Sequence, residues 1–499
     1  MKQSIFRPNF PFSPANFPIF YGWVIVFASI LGVLTSIPGQ TIGVSVFTDH
    51  LINATGLSRL QLANAYLLGT LTSGCLLPFG GKLLDRLGAR RVVVLAAVGL
   101  GITLGYLAMC DRLSLFLSAF LPLSKTNMAA VLLVVGFVSL RFCGQGMLTM
   151  TSRTTLGKWF DRRRGQVSGL QGIFTAAGFS IAPYVFSRAI TLFGWRNTWF
   201  VLSLFVGLGM STIGWLLFRD NPEMCGLRMD GVDLSEGMVE RSFQESSKGI
   251  AAEQVTRRAV GQIRESKLVP VGQQQVRLLE ERPQPNAESQ PNAEVEMWGV
   301  TRREAVGTLA FWAVNLAFMS QALSITGITF NIVSIGAEMG IAEADIVQIF
   351  VPIAVVSTAV GYGVGLACDR IRIQYLFIFM MLFQAVGIAS LANLNVPGLL
   401  IPTVVGLGVS GGCFGTLSAV VLPRFFGRKH LGAISGVQMM AIVIASAIGP
   451  SWLANAQFIT GSYTAGLYAC CLFAPVVIIL MMIMQTPSKH PPSDGVERV

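Results

Sequence analysis

Arg141 places a full positive charge inside an apolar run, about 13 positions into residues 129–157. Arg at the centre of a membrane helix costs roughly 2.5–3.5 kcal/mol to insert, so its guanidinium must face a protein interior with an anionic or carbonyl partner. Gln145 and Thr149 follow at i+4 and i+8, which gives the run one polar face. Two chemistries fit. Arg141 binds or couples to an anion, or it is a structural arginine satisfied by carbonyls and hydroxyls of the first apolar run.

Other polar groups sit at comparable depth in other runs. They are Thr35 and Gln40; Asn64, Tyr66 and Thr70; Gln171; Asn315, Ser320, Gln321 and Asn331; Gln348; and Gln438. Each alone is commonly an interhelical hydrogen bond. Together they indicate a hydrated cavity able to hold a small polar solute, with Arg141, Gln145, Gln40, Tyr66, Gln171, Asn315, Gln321 and Asn331 as candidate contacts. No Asp or Glu lies deep in any run, so no mid-membrane carboxylate proton relay is visible.

The elements that must position these residues follow from composition. Of 499 residues, 53% are hydrophobic and 12% charged, against roughly 25% charged in soluble chains. Apolar runs of about 20 residues mark membrane helices, and the expected fold is an all-α membrane protein. The net charge of +11 is carried in short clusters between the runs, without a basic stripe interleaved with aromatics, so no nucleic-acid partner is implied. There is no P-loop, no HExxH and no metal-ligand spacing among three His and eight scattered Cys. The pattern points to no enzyme, no metal and no cofactor.

About twelve spans can be marked, six over residues 20–218 and six over 304–485. The first is expected over 20–48. A Pro-rich arm (1–19) precedes them, without a signal-peptide cleavage site. A polar segment (219–303), which contains the repeated QPNAE of Gln284–Glu288 and Gln290–Glu294, separates the sets as a linker. Within it Glu236–Lys267 could form a surface helix. A tail (486–499) closes the chain. Lys and Arg crowd alternate loops (Lys82–Arg91, Lys158–Arg164, Arg370–Arg372, Arg424–Lys429), which puts these loops, both termini and the linker in the cytoplasm.

The two sets are parallel repeats. Gly81, Asp85 and Arg86 recur as Gly365, Asp369 and Arg370, 284 residues on; Ser168, Gly169 and Gln171 recur as Ser435, Gly436 and Gln438, 267 residues on. Parallel six-helix halves related by an axis along the membrane normal place a substrate site between them. The fold expected is therefore two pseudo-symmetric six-helix bundles.

The loop GKLLDRLGARR (81–91) resembles the signature loop between helices 2 and 3 of the major facilitator superfamily, and GLACDRIR (365–372) its second-half copy. Arg141–Gly146 resembles the superfamily's helix-4 motif. Tyr21-Gly22-Trp23, Gly194-Trp195-Arg196, Arg219–Glu223 and Gly226-Leu227 resemble the branch of monocarboxylate transporters and oxalate/formate antiporters. The resemblance implies alternating-access transport of a small-molecule substrate, with a coupled proton as an option, by a monomer in a lipid bilayer. It also implies a cytoplasmic gate at Gly81, Asp85, Arg86, Gly88, Arg90, Asp369 and Arg370. The branch and the lack of organelle signals lean toward a bacterial inner membrane.

Departures are informative. The branch's basic residues in helices 8 and 11 are missing and helix 1 offers Gln40, which weakens a dicarboxylate substrate. Pro183 follows Ala182 rather than Gly, which weakens a drug exporter. The lead expectation is a monocarboxylate-like anion. The alternatives are a neutral or hydrophobic solute, with Arg141 structural, and a transport-inactive membrane sensor suggested by the long linker.

Overall fold

The computed structural model describes residues 6–120, 122, 124–231 and 298–485. The surface helix expected over Glu236–Lys267 lies outside them. Twelve long helices organise the described chain: α1 Gly22–Thr35, α2 Arg59–Leu87, α3 Ala89–Ala108, α4 Lys125–Trp159, α5 Arg164–Phe193, α6 Trp195–Leu217, α7 Leu309–Glu338, α8 Asp345–Cys368, α9 Ile373–Leu391, α10 Leu400–Phe426, α11 Leu431–Thr460 and α12 Tyr463–Ile483. All except α1 are long and apolar enough to cross a membrane. Six of the twelve lie before the 232–297 segment and six after it.

The first span departs from expectation. α1 has 14 residues, about 21 Å at 1.5 Å per residue, which is short of a hydrocarbon core of roughly 30 Å. Pro38 lacks an N–H and its ring collides with the carbonyl four residues back. The chain therefore makes a single tight turn at Ile37–Gly39, becomes extended at Gln40, and restarts as short helices at Thr41–Ser45 and Thr48–Thr55. α4 departs differently. Over Arg141–Leu148 it widens into a π-helix, a form found mostly as short insertions at functional places. The two irregularities meet: a Cβ on Gly39 would stand 2.8 Å from the Gly144 Cα.

Every buried apolar cluster draws its residues from one side of the 232–297 segment. One gathers Phe47, Leu100, Leu140 and Trp199; another gathers Phe318, Phe377, Met380 and Cys413. The helices that join the two sides, α2 along α11 and α5 along α8, meet through small residues instead. A Cβ on Gly81 would lie 2.1 Å from the Gly432 carbonyl oxygen, and one on Gly165 would lie 2.0 Å from that of Gly365. Both distances are far inside contact, so only glycine lets these backbones approach. The two pairs are related by the internal repeat.

Residues expected to belong to the arm and linker also pack. Arg219 is buried, and its guanidinium donates to the Pro8 and Phe10 carbonyls of the arm. Burial lowers the pKa of Arg219 from its ordinary value. Asp230 accepts hydrogen bonds from the backbone N–H groups of Asp161, Arg162 and Arg163 ahead of α5. Residues 298–300 pair with the turn after α10, where Val300 N–H donates to the Phe426 carbonyl. The linker is thus anchored at both described ends.

Replacing Gly81 and Gly165 together by Leu is expected to force the halves apart at this end. Spin labels at Arg86→Cys and Arg370→Cys, both exposed positions on opposite halves, should gain a longer-distance population. An unchanged distance distribution would show that the glycine contacts do not hold the halves.

Candidate functional site

The break after α1 and the π segment of α4 build one polar nest. Arg141 is 2% exposed. Its guanidinium donates to the Gly39 carbonyl (3.4 Å) and to Thr41 Oγ1 (3.3 Å), and it lies over the Tyr66 ring, 5.4 Å from the centroid. Tyr66 in turn donates from its hydroxyl to Thr41 Oγ1 at 3.0 Å. Gln40 Nε2 donates to Ser36 Oγ and Thr149 Oγ1, both at 3.2 Å. The Arg141 partners are therefore a carbonyl and a hydroxyl of the broken first span. This is the contact set that the structural reading of Arg141 requires. Its Nε remains buried without a partner, so the cation retains donor capacity.

The expected polar face of α4 is altered by the π geometry. Bonding at i to i+5 changes the angular spacing. Arg141 and Thr149 both reach the α1 break, but Gln145 does not join them, and its Oε1 is buried without a partner. Gln171 donates to the Ser29 carbonyl of α1 at 3.4 Å. On α7, Asn315 donates to the Phe311 carbonyl one turn back, and its Oδ1 is unpartnered. Asn331 donates to the carbonyls of Gly327 and Pro450, which ties α7 to α11. Gln321 is buried on the same helix. The structure joins Arg141, Tyr66 and Gln40 into one constellation. The helix-7 residues bond within their own half.

Two residues escaped the sequence reading. Gln384 of α9 donates to Ser320 (3.0 Å) and Ser324 (3.3 Å) and accepts from Ser410, forming the polar knot of the second half. A lone Gln in an apolar run, facing two serines one turn apart on α7, is the only signal for it. Arg153 was legible as a second charge within the marked run 129–157. It lies between halves and donates to Ser418 Oγ of α10 at 3.1 Å. Among the described residues no group of His, Cys, Asp and Glu is arranged to hold a metal ion.

The end of the bundle carrying the basic loops is tied shut. Asp85, at the end of α2, accepts hydrogen bonds from the backbone N–H of Gly432 (2.8 Å) and Ala433 (2.7 Å) at the start of α11. A carboxylate there satisfies orphan donors of a helix N-terminus and its partial positive charge. Asp369, its repeat partner, is exposed at the end of α8 and faces the Gly165 backbone at the start of α5. Arg428 adds a further tie, donating to Glu223 (2.8 Å) and to the Lys158 carbonyl (2.7 Å).

Other residues of the expected gate act elsewhere. Arg90 does not cross between halves. Its backbone N–H donates to Asp220, and its buried guanidinium donates to the Trp215, Arg7 and Phe10 carbonyls, clamping the arm to the end of α6. Gly88 turns the chain at φ 82°, and a Cβ there would stand 2.2 Å from Asp220; it serves the same clamp. Arg86 and Arg370 are exposed. The signature loop therefore divides its work, with Gly81 and Asp85 between halves and Gly88 and Arg90 within one.

Hydrogen bonds to a charged acceptor contribute about 1.5–3 kcal/mol each. Asp85→Asn is expected to weaken both ties. Deuterium uptake over residues 428–440 should speed up, with little change over 373–391. Uptake matching the parent protein over 428–440 would mean that Asp85 does not hold this end closed.

The sequence model of the Major Facilitator Superfamily matches residues 28–450. The riboflavin transporter RibJ of Trypanosoma brucei brucei is 25% identical over 208 residues, 41% of this chain. The match spans 34% of that protein's length. Among solved structures, the proton:xylose symporter XylE superposes with a TM-score of 0.60 at 14% identity, covering 93% of this chain and 95% of that one. The human organic anion transporter MFSD10 superposes at 0.57 and 12% identity, covering 92% and 99%. A bacterial homologue of ferroportin gives 0.60 at 14%, covering 92% and 98%. Helices in two repeated sets, the Gly81–Asp85 stretch of α2 joining them and a match over most of the length give one conclusion: the chain belongs to the major facilitator superfamily.

Proposed function

We propose that this chain moves a small organic solute bearing one negative charge across the membrane by alternating access, with a monocarboxylate as the simplest such solute. The observation that carries this reading is Arg141. Its guanidinium is buried in a membrane span, its partners are all neutral, and its Nε is free. A buried charge without a counter-charge is costly, and a solute carboxylate would supply one. The resemblance of Arg219–Glu223 and Gly194–Arg196 to the monocarboxylate branch supports the same class.

In this reading the basic loops face the cytoplasm, both termini lie there, and the ties of Asp85 and Arg428 hold an outward-facing form. Their release accompanies rocking of the halves. A coupled proton is an option in this reading. The membrane is a bacterial inner membrane and the working unit is one chain.

A second reading has its own support. Arg141 is already bonded to the α1 break and stacked on Tyr66, and the chain is similar in part to a riboflavin transporter. In that reading Arg141 shapes the pocket for a neutral or heteroaromatic solute.

Thermal stabilisation separates the two, because a ligand that binds the native state raises its stability by mass action. A saturable rise with one small carboxylate is expected, with Arg141→Gln binding it at least tenfold more weakly. The same acid should then accumulate in proteoliposomes. Stabilisation by riboflavin or other neutral solutes only, equal in both forms, would instead establish the second reading. Binding without accumulation would identify a sensor.

A further inference from the structure

A narrow cavity lies where α4 of the first half meets α10 and α11 of the second. It has about 30 Å³ of free space, room for a group of roughly one water's size. Its polar lining is Arg153 and Thr154 from α4, Ser418 from α10, and Ser435 and Gln438 from α11; no lining residue is acidic. Leu431, which opens α11 beside the Asp85 tie, also lines it. The cavity therefore sits next to the closed end, at the junction of the moving parts.

The chemistry of this lining is one-sided. A guanidinium offers five donors in a planar fork. Among the described residues, the hydrogen bond of Arg153 goes to Ser418 Oγ alone. That hydroxyl spends its own proton on the Gly415 carbonyl at 3.1 Å, so it meets Arg153 as a neutral acceptor. Gln438 is 5% exposed, and its Nε2 is buried without any acceptor. An uncompensated cation and an unused amide donor thus line one small enclosed space. Water can satisfy the donors but leaves the charge uncompensated.

We propose that this cavity is a binding site for a small monovalent anion, a carboxylate group or a halide ion, held between the halves by Arg153 and Gln438. The carboxylate form of this inference rests on the anionic-solute reading; the halide form does not. In either form the anion neutralises Arg153 and bridges α4 to α11. It must be released or passed on when those helices separate. This site is distinct from the Arg141 nest, whose partners all belong to the first half.

The test uses the full chain in nanodiscs of zwitterionic lipid, with sodium formate, acetate or chloride titrated against sodium gluconate at constant ionic strength. The parent protein is expected to show saturable thermal stabilisation by at least one of the small anions. Arg153→Gln should bind that anion at least tenfold more weakly, and Arg188→Gln, an exposed arginine outside the cavity lining, within about twofold of the parent. Gln438→Leu, which keeps the cation, should bind it at least threefold more weakly and reads the same cavity if Arg153→Gln does not fold. A response to formate and acetate without chloride assigns the solute's carboxylate, and a response to chloride assigns a resident halide. No stabilisation of the parent, or an undiminished response in Gln438→Leu and Arg153→Gln, overturns the site. If the response instead disappears with Arg141→Gln alone, this inference falls and the anionic-solute reading stands. If Arg153-dependent stabilisation persists while no carboxylate engages Arg141, the reverse holds.

Discussion

A peptide group inside hydrocarbon must find a hydrogen-bond partner within the protein, because water is absent. Nearly every functional feature of this chain lies where that constraint is met by something other than a regular helix. Pro38 breaks the first span and leaves the Gly39 carbonyl free to accept from Arg141. The π segment of α4 brings Gly144 against Gly39, so the opening in one helix is filled by the irregularity in the other. At the basic end, the unpaired N–H groups that open α11 are met by Asp85 from the opposite half. Breaks and termini therefore bind the molecule together where unbroken helices have nothing to offer.

The same constraint explains how one molecule can be firm within halves and separable between them. The apolar clusters of Leu100 and Trp199, and of Phe318 and Phe377, do not cross the interface. Separation there leaves both apolar clusters intact. It breaks backbone contacts at Gly81–Gly432 and Gly165–Gly365 and a few charge-assisted hydrogen bonds. Charge-assisted bonds contribute a few kcal/mol, and water or headgroups can replace them at a membrane surface. An interface of small residues and exchangeable polar ties suits a rocking motion better than a large apolar one would.

The basic residues divide by the partner each finds. Arg90 and Arg219 both donate to carbonyls of the arm and fix it beneath the first half. Tyr21 completes that cluster by donating to the Leu217 carbonyl. Arg428 reaches Glu223, in a segment that composition alone assigns to the linker. Arg141 and Arg153, both on α4, are less fully bonded, since Arg141 donates to one carbonyl and one hydroxyl and Arg153 to one hydroxyl. Like residues in one chain thus serve as clamp or tie, or are left partly unbonded, according to what surrounds them.

Much of this was legible in the sequence. Twelve spans follow from apolar runs whose length is set by bilayer thickness, and the repeat follows from Gly81 and Asp85 recurring at Gly365 and Asp369, because pseudo-symmetric halves need the same small residue and the same carboxylate at matching places. The burial of Arg141 and its carbonyl-and-hydroxyl alternative were legible too, since a charge in an apolar run has few options. The tertiary structure decided what depends on neighbours distant in sequence. The break at Pro38 could have been a mild kink; its opposition to Gly144 makes it the acceptor for Arg141. Asp85 and Arg90 are five residues apart in one motif, yet one faces the other half and one faces the arm. Gln384 and Arg153 took their roles only from the serines and the opposite half that folding set before them. Sequence determines which groups must be satisfied inside a membrane, and packing selects the partner that satisfies each.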